Sequence, residues 1–176
     1  MQSPIIQVDN LQISFRTYAG KVHAIRGIDL DLYPGETLAI VGESGSGKSV
    51  TTRAMMGLLA QNAIHEAGEI RYQGQDILTL KEKDLQKLRG SEIAMIFQDP
   101  MTALNPTLTI GRQIMEVLTK KRGMDAGKAQ TEAIDLLTLC GIPKAKERLK
   151  QYPHQFSGGQ RQRVVIAIAL AGDPKV

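Results

Sequence analysis

Apolar and polar residues alternate along the first third of the chain, which is the pattern of strands that bury one face. The segment "LQISF" alternates, and so does "HAIRGIDLDLYPGE" from Ile25 to Leu32, before a turn at Pro34-Gly35. A further strand is predicted for "GEIRYQG", which lies between turns. The beginning of the chain is therefore predicted to be rich in strands.

Two short runs are apolar throughout instead of alternating. They are "TLAIV" over residues 37–41 and "IAMIFQ" over residues 93–98. A continuous apolar run of this length is typical of a strand that is buried on both faces. We therefore expect both runs to be buried strands.

Helical spacing of apolar residues follows in three places. "KSVTTRAMMGLL" comes after a glycine-rich loop, and "LTLKEKDLQKLRG" predicts a helix that Thr79 caps, with Glu82 three residues on and Gly90 at its end. From about residue 108 to residue 150 the period is helical. One predicted helix face there carries Ile110, Ile114, Val117 and Leu118, and a second carries Ala129, Ala133, Ile134, Leu136 and Leu137, before Gly141 and Pro143.

Length and composition limit the alternatives. A chain of 176 residues can bury one sizeable core. The net charge of +4 is mild and no Lys/Arg run exceeds three residues, so we expect no nucleic-acid partner. The single cysteine, Cys140, excludes an internal disulfide and lies on an apolar helix side, which favours a buried thiol.

The ends of the chain bear on its relation to membranes. "MQSPIIQVDN" lacks the features of a signal peptide. The longest apolar run, Val164–Ala171, is too short to span a bilayer. Any membrane role is therefore expected to come through partners.

The segment "GESGSGKS" fits the phosphate-binding pattern G-x-x-x-x-G-K-[ST]. Its glycines let backbone N–H groups curl around phosphate oxygens, and the start of the following helix attracts the same anion. Lys48 can reach the β and γ phosphates, and the Ser49 hydroxyl can ligate Mg²⁺. The sequence therefore predicts a nucleoside triphosphate site formed by Gly42, Glu43, Ser44, Gly45, Ser46, Gly47, Lys48, Ser49 and Val50.

The phosphate loop alone does not choose among kinases, GTPases, helicases and transporter motors. No N-K-x-D base reader of a GTPase is present, and no segment resembles the arginine-rich lid of a nucleoside-phosphate kinase. The choice depends on the last segment of the chain.

Ser157-Gly158-Gly159-Gln160 precedes an apolar run. Ser157 and Gln160 fit a capping box, in which each side chain bonds the backbone N–H of the other. The capping box does not explain the glycines, each of which costs a helix interior about 1 kcal/mol relative to alanine. Two bare positions at a helix start would let an anion approach the backbone closely. We therefore expect a second phosphate-binding helix end.

These motifs carry a resemblance to a known family. "SGGQ" followed by "RQRVVIAIAL" resembles the signature motif of ATP-binding-cassette (ABC) ATPases, and "IFQDP" resembles their Q-loop. "AMIFQDPMTALNP" and "RLKQYPHQFSGGQRQR" are similar to the oligopeptide/dipeptide importer branch. The resemblance runs from about residue 5 to the last residue.

The resemblance implies a fold and a domain organisation. The fold would be an α/β P-loop NTPase core with an antiparallel β subdomain and an inserted helical subdomain, incomplete at its C-terminus. Residues 1–107 would form the nucleotide-binding core with the β subdomain. Residues 108–156 would form the helical subdomain, and residues 157–176 the signature motif and its helix.

The resemblance also implies a site that two subunits share head to tail. Lys48, Ser49 and Gln98 of one subunit would hold ATP and Mg²⁺, with Lys48 and Gln98 in catalytic roles and Ser49 and Gln98 near the metal. Ser157, Gly158, Gly159 and Gln160 of the other subunit would close over the γ-phosphate. Phe15 is the candidate for stacking on adenine, with Tyr18 in reserve. Arg161 and Arg163 are interpreted as a solvated or subunit-facing rim.

Hydrolysis in this family also needs an apolar strand that ends in Asp-Glu, and the sequence contains none, so the acidic general base is absent. We expect the chain to be a truncated piece of a longer one, poorly stable and catalytically inactive alone. The missing strands would leave the apolar faces of residues 37–41 and 93–97 uncovered.

Three functions follow from the resemblance. The first is an ATPase subunit that energises import of oligopeptides or dipeptides at the cytoplasmic face of the membrane. Its partners would be a second ATPase subunit, two permease subunits and, indirectly, an extracytoplasmic peptide-binding protein. The alternatives are a cassette ATPase of DNA repair or ribosomes and a non-catalytic fragment.

Overall fold

The computed structural model describes residues 3–176, and of residues 100 and 101 the backbone only. Contacts between residues divide it into two compact units, one that ends at Leu85 and one that spans Gln86–Val176. The boundaries predicted after residues 107 and 156 were placed by motifs, and they stay predictions.

The first unit holds all the strands of the described chain. They are β1 (Ile6–Thr17), β2 (Gly20–Leu32), β3 (Ala63–Tyr72) and β4 (Gln75–Asp76). The helices are α1 (Lys48–Met55), α2 (Glu82–Leu88), α3 (Pro100–Ala103), α4 (Ile110–Arg122), α5 (Ala126–Leu139), α6 (Ala145–Arg148) and α7 (Gly158–Ala171).

The strands form one antiparallel sheet in the order β2-β1-β3-β4. Val8 on β1 is in register with Leu30 on one side and Ile70 on the other. The alternation predicted from the sequence is confirmed, because Leu11, Ile13 and Ile70 lie on the buried side. The antiparallel β subdomain of the predicted fold is therefore present.

The two predicted buried strands are not formed. Residues 37–41 belong to no strand, and Val41 is 88% exposed. Of residues 93–98 only Ile93 makes a β-bridge, and Phe97 is 42% exposed. A strand needs hydrogen-bonded neighbours along its length, and the described residues supply them only at the beginning of the second run. The prediction of buried strands is wrong for this chain, whereas the predicted exposure of their apolar faces is confirmed.

The last residues of the chain meet the second of these runs. Val176 donates its N–H to the Glu92 carbonyl (3.1 Å), and its own carbonyl accepts from the Ala94 N–H (2.8 Å). Bonds from one residue to the two neighbours of Ile93 are the pattern of a parallel ladder. The Lys175 ammonium also lies 2.9 Å from the Glu92 carboxylate. The run therefore has a parallel neighbour at its beginning and none further along.

The second unit has a helical core formed mainly by α4, α5 and α7. Ile110, Ile114 and Leu118 of α4 are fully buried, as the helical period predicts. Ala129, Ala133 and Leu137 of α5 are buried likewise, and Ile134 packs against the same core. Both predicted helix faces are therefore confirmed. No helix formed by residues 3–176 is long and apolar enough to cross a membrane.

The helix predicted to start after Thr79 begins later. Residues 77–79 form a 3-10 turn that Asp76 caps by accepting from the Leu78 N–H (3.0 Å). The α-helix then starts at Glu82. Asp76, not Thr79, is the capping residue here, because its carboxylate accepts from the N–H two residues ahead. Such a local side-chain bond favours a turn over an α-helix.

The single cysteine partly fits its prediction. Cys140 is half-buried against the helical core. Burial raises the pKa of its thiol, and the nearby charge of Arg163 opposes this.

A glycine near the start of α4 fits a close backbone contact. Gly111 donates its N–H to the Leu149 carbonyl (2.8 Å). A Cβ at residue 111 would lie 2.7 Å from that carbonyl oxygen. Gly127 has the corresponding second position in α5, and a Cβ there would meet nothing closer than 3.4 Å. The two glycines therefore have the same position in their helices, and only Gly111 is closely packed.

We expect Gly111→Ala to lower the free energy of unfolding by roughly 1–3 kcal/mol, because the methyl group would force α4 away from Leu149. The matched change Gly127→Ala should raise it by about 0.5–1 kcal/mol through helix propensity. Urea unfolding followed by circular dichroism measures both. Equal effects of the two changes would show that the Gly111 contact does not matter.

Candidate functional site

The glycine-rich loop connects residues 37–41 to α1. Gly45 and Gly47 have φ values of 84° and 94°, which L side chains rarely adopt. Gly47 is the N-cap of α1, and no side chain caps this helix start. The first N–H groups of α1 are therefore available to an anion, as the phosphate pattern predicts.

Lys48 folds back over this loop. Its ammonium donates to the carbonyls of Gly42 (2.7 Å) and Glu43 (2.6 Å) and lies 3.2 Å from the Ser46 hydroxyl. A phosphate that binds Lys48 must therefore compete with these oxygens. Ser49 follows on the exposed side of the first turn of α1, where its hydroxyl can serve a phosphate-bound cation.

A cavity of about 380 Å³ lies between the loop and β2. Gly45 and Ser46 line one side of it, and His23, Ala24 and Arg26 line the other. Its volume falls within the range of small-molecule sites. The loop thus has an adjoining space of suitable size for the nucleoside part of a nucleotide.

The two aromatic candidates lie near the β1–β2 turn. Phe15 is half-buried and in register with Val22 of β2. Tyr18 is fully exposed in the turn itself. The assignment of Phe15 to base stacking, with Tyr18 in reserve, stays a prediction.

Gln98 belongs to the second unit. It is exposed and occupies a bend that ends the apolar run, two residues before α3. The carboxamide can therefore reach a ligand without first breaking the packing of a core. Its predicted contacts with Mg²⁺ and water stay predictions.

The predicted capping box at the start of α7 is confirmed. The Gln160 N–H donates to the Ser157 hydroxyl (3.3 Å), and the Ser157 N–H donates to the Gln160 side-chain oxygen (3.1 Å). Phe156, the preceding residue, is buried in the helical core, with the Arg148 guanidinium 5.1 Å from its ring centre. The buried ring anchors the turn, and Ser157 stays exposed.

Packing does not require the two glycines of this turn. A Cβ at Gly158 or Gly159 would meet nothing within 4 Å. Neither residue has a positive φ. Within the described part of the chain, then, neither crowding nor backbone strain demands glycine at these positions. The absence of side chains leaves a smooth, exposed helix start.

The arginines of "RQR" have partners that the sequence analysis missed. Arg161 donates through Nε to the Pro153 carbonyl (2.9 Å), and Arg163 donates to the Gly141 carbonyl (2.8 Å). Both therefore fasten α7 to neighbouring segments of its own unit, although Arg163 remains exposed. A sequence pattern could not show this, because the acceptors are backbone carbonyls, whose positions side-chain identity does not reveal.

Among the side chains that the structure describes, no group of three or more histidine, cysteine, aspartate or glutamate residues could hold a metal ion. Ser49 and Gln98 supply neutral oxygens only. A neutral oxygen suits a cation that phosphates hold in large part, as Mg²⁺ usually is beside a nucleotide.

Residues 12–176 match the family described as "ABC transporter". The dipeptide transport ATP-binding protein DppD of Lactococcus lactis subsp. cremoris is 54% identical over 99% of this chain. The oligopeptide transport ATP-binding protein OppD of Bacillus subtilis is 54% identical over 98% of it. The matches cover 50% and 48% of those proteins, so the chain spans about half their length.

A solved structure is similar over most of the fold. It is the dimeric post-hydrolysis state of the ATP-binding cassette MJ0796 bound to ADP and Pi. The TM-score is 0.84 at 28% identity, over 96% of this chain and 70% of that chain.

We expect Gly47→Ala to weaken ATP binding by roughly tenfold or more, because it combines a positive φ with a Cβ only 3.0 Å from the Ala24 carbonyl oxygen. The matched change Gly35→Ala carries a similar φ penalty in open space, and it should leave affinity unchanged. Titration with a fluorescent ATP analogue measures both. Equal affinity in the two variants would contradict the role assigned to the loop.

Proposed function

The chain belongs to the ABC transporter family, and we propose that it is the ATP-binding part of a subunit that hydrolyses ATP to energise import of dipeptides or oligopeptides. The cargo class follows from the names of relatives that are 54% identical. The complete protein would work at the cytoplasmic face of the membrane, bound to permease subunits. A peptide-binding protein on the other side would be an indirect partner.

The observation that carries this proposal is a pair of separate helix starts with glycine at the N-cap or the first positions. Gly47 opens α1 without a side-chain cap, and Gly158 and Gly159 open α7 without any contact that requires glycine. A single chain needs only one such start to hold its own triphosphate. The second start therefore serves a nucleotide held by another subunit, as in a head-to-tail dimer.

The residues would divide the work at such a shared site. Lys48 would hold the β and γ phosphates, and the helix start of α1 would hold the remaining charge. The Ser49 hydroxyl and the Gln98 carboxamide oxygen would face Mg²⁺, which supplies charge neutralisation at the phosphates. Ser157 and Gly159 would donate to the γ-phosphate of the partner subunit. The acid that activates water is not among these residues.

The helical unit offers a surface for the permease. A groove of about 690 Å³ lies along α4 and the end of α6. Leu108, Met115 and Leu149 give it apolar lining. Its charged lining residues are Arg112, Lys120, Lys150 and Glu116, and the positive charges outnumber the negative one. An amphipathic permease segment with an acidic residue would complement this surface.

We expect Lys48→Ala to abolish most ATP binding, because it removes the phosphate-reaching cation. Ser157→Ala should leave ATP affinity unchanged and lower turnover roughly tenfold or more, because Ser157 acts on the partner's nucleotide. Asp125→Ala is the control, since it also removes a helix cap, at the start of α5, without touching nucleotide. Turnover and binding are measured on the complete protein. Equal loss of ATP affinity in the Lys48 and Ser157 variants would contradict the shared site.

We expect Phe15→Ala to weaken ATP binding by roughly tenfold, because base stacking contributes about 1–3 kcal/mol. Phe15→Leu, which keeps apolar packing beside Val22, should be weakened similarly. Tyr18→Ala should bind ATP normally. The reverse pattern in the same titration would assign base stacking to Tyr18.

A further inference from the structure

Gln113 of α4 binds the backbone of a segment that precedes its helix. Its side-chain oxygen accepts from the Asn105 N–H (3.0 Å). Its amide nitrogen donates to the carbonyls of Asn105 (3.0 Å) and Leu108 (3.0 Å). One half-buried side chain thus satisfies three backbone groups of a connecting segment.

The segment that Gln113 holds is internally rigid. The Asn105 side chain accepts from the Thr107 N–H (3.0 Å) and hydroxyl (2.7 Å), which closes a tight turn. The Leu108 N–H donates to the Asn105 carbonyl (3.3 Å). The turn and α4 therefore move as one body as long as the three Gln113 bonds hold.

On its N-terminal side, this segment is connected to Gln98 through α3. From Gln98 the chain passes through α3, which packs against α7, and then through Leu104, which is buried in the helical core. Only six residues separate Gln98 from Asn105. The packing of α3 and Leu104 against the helical core restrains this connection, so Gln98 is tied to the core from which α4 also extends.

We propose that Gln113 is a positioning residue for Gln98: it locks the Asn105–Leu108 turn to α4, so that α4 and Gln98 move together. The inference rests on the proposed function, because it takes Gln98 as the group that faces Mg²⁺ and water. Gln113 itself would contact neither Mg²⁺ nor the water. Its partner Leu108 and its neighbour Arg112 both line the groove along α4.

The three hydrogen bonds of the Gln113 side chain require a carboxamide, which both accepts and donates. Glutamate keeps the size of glutamine and can accept from the Asn105 N–H, but as an anion it cannot donate to the two carbonyls and repels them. A protonated carboxyl regains one donor. Because the anion faces carbonyl oxygens, the pKa of the introduced carboxyl should lie above its ordinary value of about 4.3.

The test uses the complete transporter with its permease, in membranes. Gln113→Glu should bind MgATP with unchanged affinity and hydrolyse it roughly tenfold more slowly. The ratio of its rate to that of the unaltered protein should rise as the pH is lowered towards the pKa of the introduced carboxyl, because the carboxyl then becomes protonated. Gln61→Glu, the same change in charge at an exposed turn, should match the unaltered protein at every pH.

The outcomes distinguish a failure of the proposed function from a failure of the positioning role of Gln113. If the unaltered transporter does not hydrolyse ATP, the proposed function fails. If it does and Gln113→Glu behaves like Gln61→Glu, the positioning role is refuted. A slow variant with no pH response, or with weakened MgATP binding, also refutes it, because a merely structural defect would look that way. Should Gln113→Glu not fold, Gln113→Met must show slow turnover at unchanged affinity.

Discussion

A phosphate approaches backbone N–H groups most closely where no side chain stands in its way, and glycine lies at two helix starts of the chain, those of α1 and α7. At α1, positive φ values and contact with β2 make glycine necessary for the loop itself. At α7, nothing within the described residues makes it necessary. The chain's own packing and backbone therefore explain glycine at α1 and do not explain it at α7. That difference supports the proposal that the second helix start serves a partner's nucleotide.

The remainder of the structure places these two helix starts on firm supports. The β sheet buttresses the phosphate loop through Ala24 and Ile25, against which Gly47 lies. The core of the helical unit holds Phe156, which fixes the turn before α7. Each unit also contains one apolar segment, residues 37–41 and residues 93–98, that has the composition of a central strand and little pairing. The bonds of Val176 to Glu92 and Ala94 show that a parallel neighbour is compatible with the second segment.

Sequence patterns predicted what depends on local periodicity and local bonds. The faces of α4 and α5, the sheet strands and the Ser157–Gln160 capping box each depend on residues a few positions apart, and all were confirmed. The strands at residues 37–41 and 93–98 were wrong because burial depends on neighbouring strands, which a local run cannot reveal. Arg163 and Gln113 bind backbone carbonyls and N–H groups, whose positions leave no trace in side-chain identity. The roles of Lys48, Gln98 and Ser157 stay predictions that the geometry supports.

The most direct test is a structure of the complete protein trapped with ATP and Mg²⁺ in its dimeric state. The account predicts that the Ser157 hydroxyl and the Gly159 N–H lie within about 3 Å of a γ-phosphate that is held by Lys48 of the partner subunit. A structure in which the Ser157 turn faces open solvent, or contacts the phosphate bound by Lys48 of its own chain, would contradict it.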